Sequence, residues 1–240
     1  MTACLFDLDG VLTQTAKVHA AAWKQMFDDY LRRRAARTGE TFAPFDPVRD
    51  YDEYVDGKPR YDGVRAFLAA RGIELPEGGP ADPPGAETIR GLGDLKNEIV
   101  LRMIREEGVQ AYEGSVRYVQ AAAAAGLRRA VVSSSSNCHD VLQAAGIEDL
   151  FEEVIDGVRA EREHLRGKPA PDTFLAGARA LGVEPAKAAV FEDALAGVEA
   201  GRKGHFGFVV GVDRVGQAEA LRSHGADVVV GDLSELLAAP

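Results

Sequence analysis

Residues 3–13 read ACLFDLDGVLT: four apolar positions, two aspartates separated by one leucine, then a glycine. The apolar start suits a buried strand. Asp and Gly are favoured in turns, so one reading is a core strand leaving through a polar turn. The same pattern suits a site in which paired carboxylates hold a metal ion beside a phosphoryl group. Strand residues two apart point the same way, so Asp7 and Asp9 start on one side, and Gly10 permits the chain to turn at once. The rest of the chain decides between these readings.

Further β-rich runs occur at 129–133 (RAVVS), 188–192 (AAVFE), 206–211 (FGFVVG) and 227–231 (DVVVG), with helical stretches at 115–125, 172–181 and 193–202. Near-continuous apolar strands alternating with helices predict a parallel sheet covered on both faces, an α/β doubly wound core. More than a hundred residues separate the first run from the second, far more than a crossover helix needs. Within that stretch Val18, Trp23, Met26, Phe27, Tyr30 and Leu31 recur at a helical period, as do Ile99, Met103 and Ile104. Residues 72–93 are rich in Pro and Gly and read as a long loop. The expected division is a core of 1–13 and 113–240 with an inserted helical cap domain at 14–112.

The 240 residues carry a formal net charge of −10. That balance argues against nucleic acid or an anionic membrane as main partner, because both need a basic footprint. Cys4 and Cys138 are too few for a disulfide scaffold. No apolar run is long enough to span a bilayer, and the MTACLFD start lacks the features of a signal peptide, so a cytoplasmic location is expected.

Ligands of open parallel sheets bind beyond the carboxyl ends of the strands. At those ends stand Asp7 and Asp9, Ser133 to Asn137, and Glu192 with Asp193, while the loop 166–172 (RGKPAPD) holds Lys168. Two carboxylates about 4 Å apart repel by roughly 4 kcal/mol at an effective dielectric near 20, so the cluster calls for a cation. Oxygen-only ligands beside an anionic substrate suggest magnesium. A carboxylate can attack phosphorus to give an aspartyl phosphate, and a second can move the proton of the leaving or accepting oxygen. Lys168 and a serine of the 133–136 run offer a cation and a hydroxyl for the phosphoryl group. Ser133 and Ser135 suit packing or capping, and Ser134 and Ser136 suit a ligand.

FDLDGVLT, VVSSSSN, GKPAPD and FEDALAGVEAG resemble, in order, the four motifs of the haloacid dehalogenase superfamily of phosphotransferases. The resemblance implies a Rossmannoid core with Asp7 as nucleophile, Asp9 as general acid/base, and Ser134 and Lys168 as phosphate holders. It implies magnesium bound by Asp7, Asp193, the Asp9 carbonyl and Glu192, the last directly or through water.

The cap is similar to that of the β-phosphoglucomutase-like subfamily. TQTAKVHAAAWK (13–24) sets Thr15, His19 and Trp23 at that subfamily's spacing, DGKPRYDG (56–63) holds Arg60, and LKNEIVLRMI (95–104) holds Lys96 and Asn97. His19 and Trp23 share a helix face, which also fits plain core packing, and Arg60 and Lys96 also fit ordinary solvated charge. Under the resemblance Arg60, with Ser136 and Asn137, clamps a distal phosphate, and Thr15 and Tyr112 lie at the hinge. Two departures stand out: Gln14 replaces an aspartate, and no basic residue lies between the serines and Asn137. The implied reaction converts β-glucose 1-phosphate to glucose 6-phosphate, with glucose 1,6-bisphosphate as intermediate and activator. The implied protein is a monomer acting on a small phosphorylated sugar. A sugar-phosphate phosphatase on the same scaffold is the alternative. A phospho-aspartate signalling domain, of another class, needs neither the cap nor a distal arginine.

Overall fold

The continuously apolar runs become the centre of a sheet. The computed structural model describes residues 1–237. β1 (Ala3–Phe6), β2 (Arg128–Val132), β3 (Glu153–Ile155), β4 (Ala188–Glu192), β5 (Phe208–Val212) and β6 (Val228–Val230) form one sheet in the order β3-β2-β1-β4-β5-β6. Every pairing is parallel. β1 and β4 are buried along their whole length, as continuous apolar runs require when helices cover both faces. The short end strands β3 and β6 are only partly buried.

Two compact units result. One comprises Met1–Thr15, Gly57–Pro59 and Val109–Pro240, and the other Ala16–Asp56 and Arg60–Gly108. In the first, alternate residues of β1 feed opposite faces of the sheet. Leu5 joins Val132, Val190, Phe174 and Phe206 in one layer. Phe6 stacks on Phe191 at 4.5 Å between ring centroids, with Tyr118 and Phe151 edge-on at 6.2 and 6.0 Å.

In the second unit, made of α1 (Ala16–Thr38), α2 (Arg60–Ala70) and α3 (Ile89–Glu107), Trp23, Met26, Phe27, Tyr30 and Leu31 of the helical period are buried. Phe27 lies 5.3 Å from Trp23, 5.3 Å from Phe45 and 4.1 Å from Phe67. A one-turn π-helix at Tyr51–Val55 precedes α2. Among the described residues no helix is long and apolar enough to cross a membrane.

Three readings shift. β3 went unread because Glu153-Val-Ile is three residues long and begins on a charged residue. β5 begins at Phe208 instead of 206, since the Gly207 amide donates to Pro185 and Ala188 carbonyls outside the strand ladder. The stretch 72–93 is a loop only to Thr88, whose hydroxyl accepts the Gly91 amide at 2.9 Å and caps α3. The glycines that made 89–93 look irregular lie inside the helix, and Gly93 leaves room for the Tyr61 ring, which a Cβ would meet at 2.6 Å.

Phe6→Ala is expected to destabilise the protein by about 3–5 kcal/mol. Urea unfolding measures it, and a loss below about 1 kcal/mol would show that the aromatic stack is not a main support of the sheet.

Candidate active site

The strand order reverses at β1 and β4, whose connections leave in opposite directions, and such a switch point opens a crevice beyond the carboxyl ends. Because Phe6 and Phe191 are register partners, the next residues, Asp7 and Glu192, emerge side by side. The Asp7 amide donates to the Phe191 carbonyl at 2.9 Å. Both carboxylates are buried, Glu192 completely.

Lys168 meets them from the loop before α7 (Asp172–Ala180). Its ammonium donates to Asp7 Oδ1, to Glu192 Oε1 at 2.6 Å and to the Val132 carbonyl at 3.1 Å. An ammonium has three donors, and each has an acceptor here. Burial disfavours the Lys168 charge, but Asp7 and Glu192 together outweigh it and hold the pKa above the ordinary lysine value. Burial pushes the Asp7 carboxyl upward against the opposing pull of Lys168, and the Asp9 charge adds to the rise. Glu192 is raised by burial in the same way.

Asp9 is aimed by its own loop. The buried Thr15 hydroxyl donates to Asp9 Oδ1, and Thr15 Oγ1 lies 2.7 Å from the hydroxyl of Thr13, which donates to the Leu8 carbonyl at 3.2 Å. Thr15 thus stands behind Asp9. Gly10 follows at φ 85°, and a Cβ there would come within 1.7 Å of Asp193 Oδ2, so only glycine fits between loop and carboxylate. Gly197 makes the same allowance for Glu192, with 1.8 Å from a Cβ to Oε1.

Asp7, Glu192 and Asp193 bring one carboxylate oxygen each within 4.8 Å of the others. The side chain of Asp9 is not in that group, although its backbone lies between Asp7 and Gly10. A set made only of carboxylate oxygens suits a hard divalent cation. Both thiols are poor ligands: burial raises Cys4 to about 12 and Cys138 well above the ordinary value.

The serine run divides by alternate residues. Ser133 Oγ accepts the Ser135 amide at 3.0 Å and Ser135 Oγ accepts the Asn137 amide at 3.2 Å, so these two shape the turn. Ser134 is half-buried, and its hydroxyl donates to the Gly57 carbonyl at 2.9 Å. Ser136 is exposed, and Asn137 is buried at the start of α5 (Cys138–Ala144). Reading the sequence passed over Arg214 and Gln217, which bond to the Gly10 and Asp193 backbones. Their signal was their place after the carboxyl end of β5, where the same strand-end rule applies.

In the helical unit α1 and α3 bring His19 and Lys96 together. Lys96 Nζ lies 2.9 Å from His19 Nδ1 and 4.9 Å from the centroid of Trp23. An ammonium only donates, so Nδ1 accepts and the neutral ring carries its proton on Nε2. Burial, then Lys96, then Arg60 hold His19 well below the ordinary imidazole value. Lys96 and Trp23 are buried, so the face that reads as core packing is packed and polar at once. Arg60 lies 3.6 Å from Asp94, which accepts the Tyr61 hydroxyl at 2.7 Å. Asn97 is half-buried beside Lys96 in the chain.

A family model described as haloacid dehalogenase-like hydrolase matches residues 1–205. A Mycobacterium bovis protein named beta-phosphoglucomutase is 59% identical to this chain over 98% of its length and 91% of that protein. A Bacillus subtilis protein of the same name is 30% identical, over 98% of this chain and 92% of that one. The crystal structure of beta-phosphoglucomutase from Clostridium difficile has a TM-score of 0.76 at 26% identity, covering 98% of this chain and 93% of the other.

His19 carries a pH signature. Unfolded, the imidazole binds a proton below about pH 6.5, and folded only further down, so the stability from burying it neutral is complete above that pH and is lost as pH falls toward the folded value. Unfolding free energy is expected to drop by up to about 1.4 kcal/mol per pH unit in that window. His19→Asn, which keeps an acceptor for Lys96 without a titrating ring, should lack this component; equal slopes would show that His19 is not buried neutral.

Proposed function

We propose, from the premise that this chain belongs to the haloacid dehalogenase-like hydrolase family and to its β-phosphoglucomutase-like subfamily, that it converts β-glucose 1-phosphate to glucose 6-phosphate. The observation that carries this reading is the buried Asp7 at the strand-order reversal, facing Lys168 and flanked by the oxygens of Glu192 and Asp193. Asp7, Asp193 and Glu192 would hold magnesium, with the Asp9 carbonyl beside them. When bound, that ion neutralises phosphoryl oxygens and the mutual repulsion of the acids.

The chain's own groups then divide the work. An Asp7 carboxylate oxygen bonds to the phosphorus of a sugar bisphosphate as the phosphorus–sugar oxygen bond breaks. Asp9 gives its proton to the leaving oxygen. In the return step Asp9 takes the proton of the other sugar hydroxyl, whose oxygen attacks phosphorus as the Asp7–phosphorus bond breaks. The cycle closes with the phosphoryl group returned, so glucose 1,6-bisphosphate is both intermediate and activator. Thr15, donating to Asp9, keeps that carboxyl aimed. Lys168, already against Asp7, meets the phosphoryl charge with the Ser134 hydroxyl. Arg60 suits a second phosphate, since a guanidinium grips it with two donors. His19, Trp23, Lys96 and Asn97 supply recognition of the sugar, and Ser136 and Asn137 add polar groups from the α/β unit.

With β-glucose 1-phosphate, magnesium and a trace of glucose 1,6-bisphosphate, glucose 6-phosphate should appear with little free phosphate, and Asp7→Asn should lower kcat by about 10³-fold or more. Phosphate released as fast as substrate vanishes would make the protein a sugar-phosphate phosphatase instead. Arg60→Ala is expected to slow isomerisation roughly 100-fold while sparing hydrolysis of small phosphate esters. Equal loss of both would remove Arg60 from the distal role.

A further inference from the structure

The loop after β5 touches both backbone segments that carry the acids. Arg214 Nε donates to the Gly10 carbonyl at 2.8 Å, and Nη1 donates to the Gly231 carbonyl at 2.8 Å and lies 3.4 Å from Asp232. Nη2 reaches the Val11 carbonyl at 3.5 Å. The guanidinium carbon sits 3.6 Å from the centroid of the Tyr112 ring, and the side chain is only 16% exposed. Three residues on, Gln217 Nε2 donates to the Asp193 carbonyl at 3.1 Å.

The loop between them is itself stapled. One oxygen of Asp213 accepts the amides of Val215, Gly216 and Gln217 at 3.2, 2.7 and 2.8 Å, and the Asp213 amide donates to the Val230 carbonyl at 2.8 Å. Arg214 and Gln217 are therefore a fixed distance apart. One holds the turn carrying Asp9 and Gly10, and the other holds the main chain of Asp193. Those two pieces meet where the Gly10 Cα lies against the Asp193 carboxylate with no space for a methyl group.

We infer that the Asp213–Gln217 loop is a brace that sets the spacing of the Gly10 turn from Asp193, with Arg214 and Gln217 as positioning residues for divalent-cation binding. The inference rests on reading Asp7, Glu192 and Asp193 as the cation site. Both contacts run to backbone carbonyls, those of Gly10 and Asp193, so each residue acts through the main chain. Charge and geometry predict opposite signs for Arg214. Removing a cation beside an acidic cluster tightens magnesium binding if only Coulomb forces count, whereas removing a brace loosens it.

Calorimetric titration of magnesium into the free full-length protein separates these outcomes, with thermal unfolding run to confirm that each variant is folded. Arg214→Met and Gln217→Met are each expected to weaken magnesium about 10-fold, the scale on which groups that orient metal ligands act. Arg214→Lys, which keeps the charge and a donor, should recover part of that loss. Activity of both Met variants should rise again at raised magnesium. If the parent binds magnesium and the Met variants bind it as tightly or more tightly, the brace is wrong and the cation site stands. Should Arg214→Met fail to fold, the uncharged Gln217→Met decides alone. A parent that binds no magnesium overturns the cation site and the brace with it.

Discussion

Two buried carboxylates share one buried ammonium. Asp7, Glu192 and Lys168 come from positions far apart in the chain, and their Lys168 contacts leave each nearly without water. Taking such charges out of solvent costs several kcal/mol apiece, and removing one partner leaves the others uncompensated. The arrangement persists because apolar strands on both sides of β1 provide no alternative place for these groups, and because the Val132 carbonyl takes the third Lys168 proton. An excess of acid over base remains there, with Asp193 alongside.

The catalytic geometry is thus set mainly by main-chain pairing. Register between β1 and β4 delivers Asp7 beside Glu192, and the Thr15 hydroxyl aims Asp9. Two glycines are placed where a carboxylate must come closer than any side chain permits. The helical unit does a different job with the same economy of charge. A neutral imidazole accepts from Lys96 while Trp23 lends the face of its ring to the ammonium.

Much of this could be read from the chain. β1 and β4 were legible to the residue, because full burial demands uninterrupted apolar runs, and the acids announced themselves by standing where those runs stop. Ser133 and Ser135 read as packing or capping residues, and both accept amides within the turn. What escaped was whatever tertiary contact decides. β3 has too few apolar residues to signal itself, Gly91 and Gly93 disguised the first turn of α3, and Gly57–Pro59 group with the α/β unit although they sit amid helical-unit sequence. Thr15 reads as a hinge residue, and its hydroxyl donates to Asp9, a hydrogen bond between side chains six apart in a loop that no periodicity encodes.

The position of β1 between β2 and β4 has a bearing on how the chain comes to be folded. β1 precedes both of its neighbours in the chain, which begin at Arg128 and Ala188, so it leaves the ribosome with both edges bare. The helices of residues 16–107 pack on one another, α1 and α2 each on α3, and can settle once that stretch has been made. The opening strand must wait until residue 192 has been synthesised. An unpaired apolar β-strand in a nascent chain is prone to wrong partners. Asp7 and Asp9, at the end of that run, put charge beside an edge that stays bare until its own partners arrive, and charge blunts unpaired strands.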